Sequence, residues 1–291
     1  MFYGSIPALV TPFSGNCVDE DSLGNFIDWQ IGEGSNGLVP CGTTGEVATL
    51  DSAEHRRVVE IAVEVSKGRV PVIAGCGSYS TAATIDRIRV AKEVGADAAL
   101  VVVPYYNKPS QAGLAAHYRA IAESSDLPIV VYNVPSRTVA DISVETLAKI
   151  SKLPTIVGIK DATGNLGRIS AQRLACGEDF VQLSGNDDMA LGFNAMGGVG
   201  CISVTANVAP RLCADFQSAM RDGRWDEALK LQDRLYPLHA ALFSDASPGP
   251  TKYALTRVRP GYPAELRLPL TEPSDASKRA VDQALEHAGL L

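Results

Sequence analysis

The chain has 291 residues, of which 46% are hydrophobic and 20% charged, the makeup of a globular protein with a large core. A net charge of −7 and a pI near 5.2 give a surface that repels polyanions, which argues against nucleic acid as a partner. The opening "MFYGSIPALVTPF" has no basic n-region and no apolar stretch of signal-peptide length. No run of about 18 uninterrupted apolar residues occurs, so a cytoplasmic protein without a membrane span is expected.

Short apolar runs then alternate with helical patterns. "IPALV" (6–10) is the first expected strand, and Asp19 or Asp21 caps the helix of "LGNFIDWQI". "GLVP" (37–40) is the second strand. Asp51 opens "SAEHRRVVEIAVEVSKG", whose apolar residues over 58–65 fall at helical spacing and which ends at Gly68. "VPVIAG" (70–75) leads to a helix opened by Ser80 and stopped at Gly95. "AALVVVP" (98–104) and "LPIVVYN" (127–133) precede helices opened by Ser110 and Ser143. "TIVGIKD" (155–161), "FVQLSGN" (180–186) and "GCISVTA" (200–206) complete eight strands. These runs are continuous rather than alternating, as in strands buried on both faces.

Eight βα repeats with little linker predict an α/β protein of the (β/α)8 TIM-barrel type over residues 1–223, with a doubly wound open sheet as the alternative. Beyond Gly223, "WDEALKLQDRLYPLHAALF", "PGPTKYALTRV" and "DASKRAVDQALEHAG" are helical with no strand between them. Residues 224–291 therefore read as a C-terminal helical domain.

Barrels of this type collect their chemistry at the C-terminal ends of the strands. Here those ends carry Cys41-Gly42-Thr43-Thr44-Gly45-Glu46, Tyr105-Tyr106-Asn107, Tyr132-Asn133, Lys160-Asp161 and Ser184-Gly185-Asn186-Asp187. Ile156 to Ile159 are expected to fill the interior and leave the Lys160 amine at the mouth, with Asp161 turned away to anchor the next loop. An ammonium is rarely taken out of water; desolvation depresses its pKa and frees a lone pair. A neutral amine attacks a ketone to form a Schiff base, an electron sink for making or breaking a C–C bond. Tyr132 is placed to relay protons, with Thr43 and a second tyrosine in a hydrogen-bond chain. Gly42 and Gly45 would let backbone amides approach a carboxylate.

Other chemistries find less support. His55, His117, His239 and His287 all fall in helical segments and no HxH or HExxH spacing occurs, so no metal is expected. "AGCGSYS" (74–80) lacks the GK[ST] of a phosphate loop, and no dinucleotide fingerprint appears, so no cofactor is expected. The six cysteines lack CxxC pairing and read as reduced core thiols.

Together "CGTTGE" (41–46), "PYYNKPSQ" (104–111), "YNVPSRT" (132–138), "GIKDATGN" (158–165) and "SGND" (184–187) resemble the dihydrodipicolinate synthases, within the pyruvate-dependent class I aldolase and N-acetylneuraminate lyase superfamily. The resemblance runs over essentially the whole chain. It implies condensation of pyruvate with L-aspartate 4-semialdehyde in the diaminopimelate route to lysine. On that likeness Lys160 is the imine-forming amine and Tyr132 the proton relay, linked to Thr43 and Tyr106. Tyr106 would reach a neighbouring subunit's site, which implies a homotetramer built as a dimer of dimers. Thr44 would hold the pyruvate carboxylate, Gly185 and Ile202 would line the pocket, and Arg137 would grip the semialdehyde's carboxylate.

A sugar-acid lyase is the alternative activity, and a keto-acid sensor without turnover is a second. The synthase reading rests on Arg137, which sister lyases usually lack. Two departures from the family pattern stand out. Val139 replaces the usual Gly after "SRT", so a strained turn common in relatives is expected to be missing. His55 and Tyr105 match lysine-inhibited members, but Ser52, Tyr79 and Ala83 stand where those carry His, Asn and Glu. Weak or absent inhibition by L-lysine is expected.

Overall fold

The computed structural model describes residues 2–291. Seven parallel strands form one sheet: β1 (Gly4–Pro7), β4 (Ile73–Gly75), β5 (Ala98–Val102), β6 (Ile129–Asn133), β7 (Ile156–Asp161), β8 (Val181–Ser184) and β9 (Gly200–Ser203). Between the first two, β2 (Phe13–Ser14) and β3 (Cys17–Val18) make a small antiparallel hairpin that the apolar pattern did not announce. The sheet runs β1-β9-β8-β7-β6-β5-β4 and curls into a barrel.

The segment around 37–40 closes it. Val39 N donates to Pro7 O and Leu9 N to Val39 O, each at 2.9 Å. On the other edge, Leu38 N donates to Pro71 O at 2.9 Å and Ile73 N to Leu38 O at 2.8 Å. The expected second strand is present as a two-residue bridge because Pro40, with no N–H, cannot extend the ladder.

Helices follow the expected capping signals. Asp19 accepts from Ser22 N at the start of Glu20–Gly32, and Asp51 forms a reciprocal capping box with Glu54 at the start of Ser52–Ser66. Ser80, Ser110 and Ser143 cap Thr81–Glu93, Gln111–Ser124 and Val144–Ile150. After the last barrel helix, Pro210–Arg221, come Trp225–Ala241, Gly249–Val258 and Asp275–Ala288 with no strand between them. Their apolar faces, including Leu238, Leu255 and Leu285, join the same core as Phe13, Leu23 and Val101 of the barrel. Among the described residues, no helix is long and apolar enough to cross a membrane.

Two apolar sets alternate along the strands, as period-2 geometry requires. Ile6, Ala8, Leu100, Val130 and Leu183 fill the barrel, whereas Ala99, Val101, Ile129 and Val131 face the helices. β7 departs from the expectation for its own residues. Ile156 and Ile159 both pack outward, and Val157 packs inward. The cause is an irregularity in register: Ile129 pairs with Ile156, but Val130 pairs with Gly158. One extra residue breaks the alternation and brings Lys160 into phase with the interior.

Candidate active site

Lys160 and Tyr132 are register partners on β7 and β6, so the sheet itself sets them side by side. Lys160 is only 5% exposed, and its Nζ lies 4.3 Å from the centroid of the Tyr132 ring. Among the described residues, no carboxylate is ion-paired with it; that sets it apart from the other deeply buried lysine, Lys252, which has Glu46 at 2.6 Å. A buried ammonium without a counter-charge is costly, and a ring face recovers only part of that cost. Lys160, Tyr132, Thr43, Gly42, Val39 and Gly77 line one narrow cavity at the C-terminal end of the barrel.

The residues around the lysine are small because space is short. A Cβ on Gly185 would sit 2.7 Å from Ala162 Cβ and 3.1 Å from Lys160 Cε. Gly185 N also donates to Asp161 O at 2.7 Å, which joins the two strand ends. Ile202 is fully buried and packs with Tyr132 and Leu183 in the barrel interior. In "AGCGSYS" the glycines serve close backbone approach: a Cβ on Gly75 would meet Cys41 O at 2.0 Å, and one on Gly77 would meet Val102 N at 2.4 Å. Burial pushes the Cys41 thiol, which shares the cavity, far above its ordinary value, so it stays neutral and offers no rival nucleophile.

Asp161 points away from the amine as expected. Its Oδ1 accepts from Thr163 N at 2.8 Å and Thr163 Oγ1 at 2.6 Å, its Oδ2 from Gln172 Nε2 at 2.7 Å. Asn133 is equally occupied: its Nδ2 donates to Asp141 Oδ1 at 2.8 Å. Thr44 is buried in the turn after the second strand, and Thr43 lies at the cavity's rim.

Of the eight sequence candidates, Lys160, Tyr132 and Thr43 line that cavity; Thr44, Gly185 and Ile202 do not, and neither do Arg137 and Tyr106. Arg137, exposed on the short helix Pro135–Thr138, lines a separate groove of about 540 Å³ with Asn186, Asp188 and Tyr236. Tyr106 is turned outward and is 90% exposed, with φ +69°. The expectation for Val139 is corrected. The strained turn is present, with a β-branched residue held at φ +60° and 67% exposed, a conformation that costs about 1–3 kcal/mol. Cys17 is corrected as well, being exposed on β3 rather than a core thiol. All four histidines lie in helices, and among the described residues no group of three metal-ligating side chains comes together.

Sequence reasoning passed over Lys252 and gave Glu46 no role of its own. A faint signal existed for Lys252: it shares an i, i+3 stripe with buried Leu255, where a lysine is out of place.

The chain matches the model of the dihydrodipicolinate synthetase family over residues 1–288. It is 65% identical to the 4-hydroxy-tetrahydrodipicolinate synthase of Rhizorhabdus wittichii and 63% identical to that of Zymomonas mobilis, covering 100% of both chains in each case. It superposes with a TM-score of 0.96, at 41% identity and 100% coverage of both chains, on the crystal structure of the chloride-inhibited dihydrodipicolinate synthase from Acinetobacter baumannii complexed with pyruvate.

Proposed function

Because the chain belongs to the dihydrodipicolinate synthetase family, we propose that the cavity beneath Thr43 is where its Lys160 amine meets pyruvate. The reaction is the lyase-type condensation of pyruvate with L-aspartate 4-semialdehyde to 4-hydroxy-tetrahydrodipicolinate, on the diaminopimelate route to lysine. The observation that carries the site assignment is the unpaired burial of Lys160 against the Tyr132 ring.

In this reading the neutral Lys160 amine adds to the ketone carbon of pyruvate, water leaves, and the resulting imine draws electrons from the adjacent methyl group. That carbon loses a proton and attacks the semialdehyde's carbonyl carbon, and the semialdehyde's amino group then adds to the imine carbon and expels the Lys160 amine as the ring closes. Tyr132, next to the amine, moves the protons that water loss and C–C bond formation require. Thr43 shares the cavity and serves as the hydroxyl next in line. Thr44 and its backbone hold the pyruvate carboxylate, while Gly185 and Ile202 shape the wall. Borohydride added with pyruvate is expected to raise the protein's mass by one reduced pyruvate at Lys160; an unchanged mass defeats the reading.

Arg137 is assigned to the semialdehyde's carboxylate. Asn186 of its groove follows Gly185, on which a Cβ would lie 3.1 Å from Lys160 Cε, a proximity that suits an incoming second substrate. Arg137→Ala is expected to raise the KM for aspartate semialdehyde by roughly 10- to 100-fold, the worth of a charge-assisted hydrogen bond. The KM for pyruvate should stay near that of the wild type in the same coupled assay. A matching rise for both substrates would point to general damage and sink the assignment.

Tyr106 suits a contact between subunits. A tyrosine 90% exposed, on a loop residue with positive φ, leaves apolar surface for another chain and reaches away from its own cavity. The reading therefore includes a homotetramer, a dimer of dimers, with Tyr106 completing the partner's relay. Sedimentation velocity is expected to show tetramer; a monomer with full activity would refute this assembly.

Inhibition by L-lysine is expected to be weak. Tyr79 stands edge-on to Tyr105 with ring centroids 5.4 Å apart, and Ala83 supplies no carboxylate for an effector's ammonium. In a dose–response at subsaturating pyruvate, half-inhibition should lie above about 1 mM, a binding free energy weaker than about 4 kcal/mol. Half-inhibition in the micromolar range would show that the missing carboxylate is not decisive.

A further inference from the structure

The fully buried Lys252 belongs to the C-terminal helix Gly249–Val258, yet its partner belongs to the turn at the cavity's rim. Its ammonium lies 2.6 Å from Glu46 Oε1, donates to Glu265 O at 2.6 Å and sits 4.3 Å from the centroid of the Phe13 ring. The contact with Glu46 is ionic rather than a well-directed hydrogen bond. The other carboxylate oxygen of Glu46 accepts from Arg267 N at 3.1 Å, a second tie to the C-terminal segment.

Glu46 ends the stretch Thr43-Thr44-Gly45-Glu46, and the backbone there is under tension. Cys41 and Glu46 flank the turn with φ +55° each. Residues with a Cβ persist in that region only where the surroundings over-determine them. Thr11 Oγ1 donates to Gly45 O at 2.8 Å, and a Cβ on Gly45 would meet Leu9 O at 2.9 Å. Within the turn, Glu46 is the residue whose charge ties it to the C-terminal helices. Burial pushes the Lys252 ammonium below its ordinary value, while the Glu46 charge opposes this.

A buried ion pair is seldom needed for stability, since apolar replacements of similar volume are often neutral or stabilising. What a pair of charges adds in a low-dielectric interior is a fixed geometry for the groups that carry it. We propose that Lys252 and Glu46 are positioning residues for the first substrate. Their buried pair holds Glu46 in the left-handed conformation that ends the 43–46 turn, and so fixes the turn that presents Thr44 to the keto acid's carboxylate. The C-terminal helices thereby set the affinity for pyruvate without touching it. This rests on the assignment of Thr44 to the pyruvate carboxylate made above.

The double variant Lys252→Met/Glu46→Gln tests it in the full-length enzyme, because it leaves no unpaired buried charge and nearly conserves volume. It is expected to fold with a Tm close to the wild type and to raise the KM for pyruvate about tenfold, with kcat and the semialdehyde KM changed by less than about threefold. A purely structural pair would lower the active fraction and leave both KM values unmoved. A pyruvate KM within about twofold of wild type in the folded double variant overturns the proposal. Should that variant fail to fold, Lys252→Arg decides by the same measure, since it keeps the charge and displaces the contact: a raised pyruvate KM supports the proposal and an unchanged one overturns it. Failure of the underlying site assignment reads differently, as no borohydride adduct in the wild type or an unchanged pyruvate KM in Thr44→Val.

Discussion

Lys160→Ala is expected to abolish the pyruvate–borohydride adduct and to lower kcat by at least about 10⁴-fold, the scale seen when a covalent nucleophile is removed. The reason is that, among the described residues, no other amine lines the cavity. Cys41, the other potential nucleophile lining it, is kept neutral by burial. Lys160→Arg should fail as completely, because a guanidinium stays protonated and forms no imine with a ketone. Loss of activity by unfolding is separable from loss of chemistry. Lys160 is buried and makes no ion pair among the described residues, so its removal breaks none and the Tm should stay near that of the wild type. A large fall in Tm, or adduct formation in Lys160→Ala, would contradict this account.

Gly185→Ala carries the second large effect. The new methyl would lie 2.7 Å from Ala162 Cβ and 3.1 Å from Lys160 Cε, both inside normal contact distance. The contact with Ala162 cannot be relieved by the flexible lysine stem, so the strand end that carries both Lys160 and Ala162 must shift. A displacement of about 1 Å at a reacting group costs on the order of 10²-fold in rate. kcat/KM is therefore expected to fall about 10²-fold, with a loss of about 1–3 kcal/mol in stability from overpacking. The decisive measurement is the rate of borohydride trapping at fixed pyruvate in the folded variant. Trapping at the wild-type rate would show that the glycine does not keep room for the amine.

The same residues show how much was open to a reader of the chain alone. Six strands lie within the expected apolar runs and β1 overlaps its own; Asp51, Ser80, Ser110 and Ser143 begin their helices as anticipated, and Asp19, one of two residues expected there, begins the first. These are local signals: a side-chain oxygen and an amide three residues away are neighbours whatever the rest of the fold does. The cluster of chemistry at one end of the barrel was equally legible, since it needs only strand direction and strand order.

The amino-acid sequence by itself determined the repeating βα pattern, the barrel, and the delivery of Lys160 and Tyr132 to its mouth. Tertiary structure alone decided four matters. The irregular pairing opposite Ile129 and Val130 turned Ile156 and Ile159 outward and Lys160 inward. Pro40 reduced the second strand to a bridge whose partners had to be in place before it counted as a strand. Val139 retained a positive φ although its side chain disfavours it, at the point where its N–H donates to Pro135 O and ends the short helix. Glu46 found Lys252 across most of the chain's length. All but the Val139 turn depend on register or contact between distant segments, and periodicity carries no information about pairing at that range.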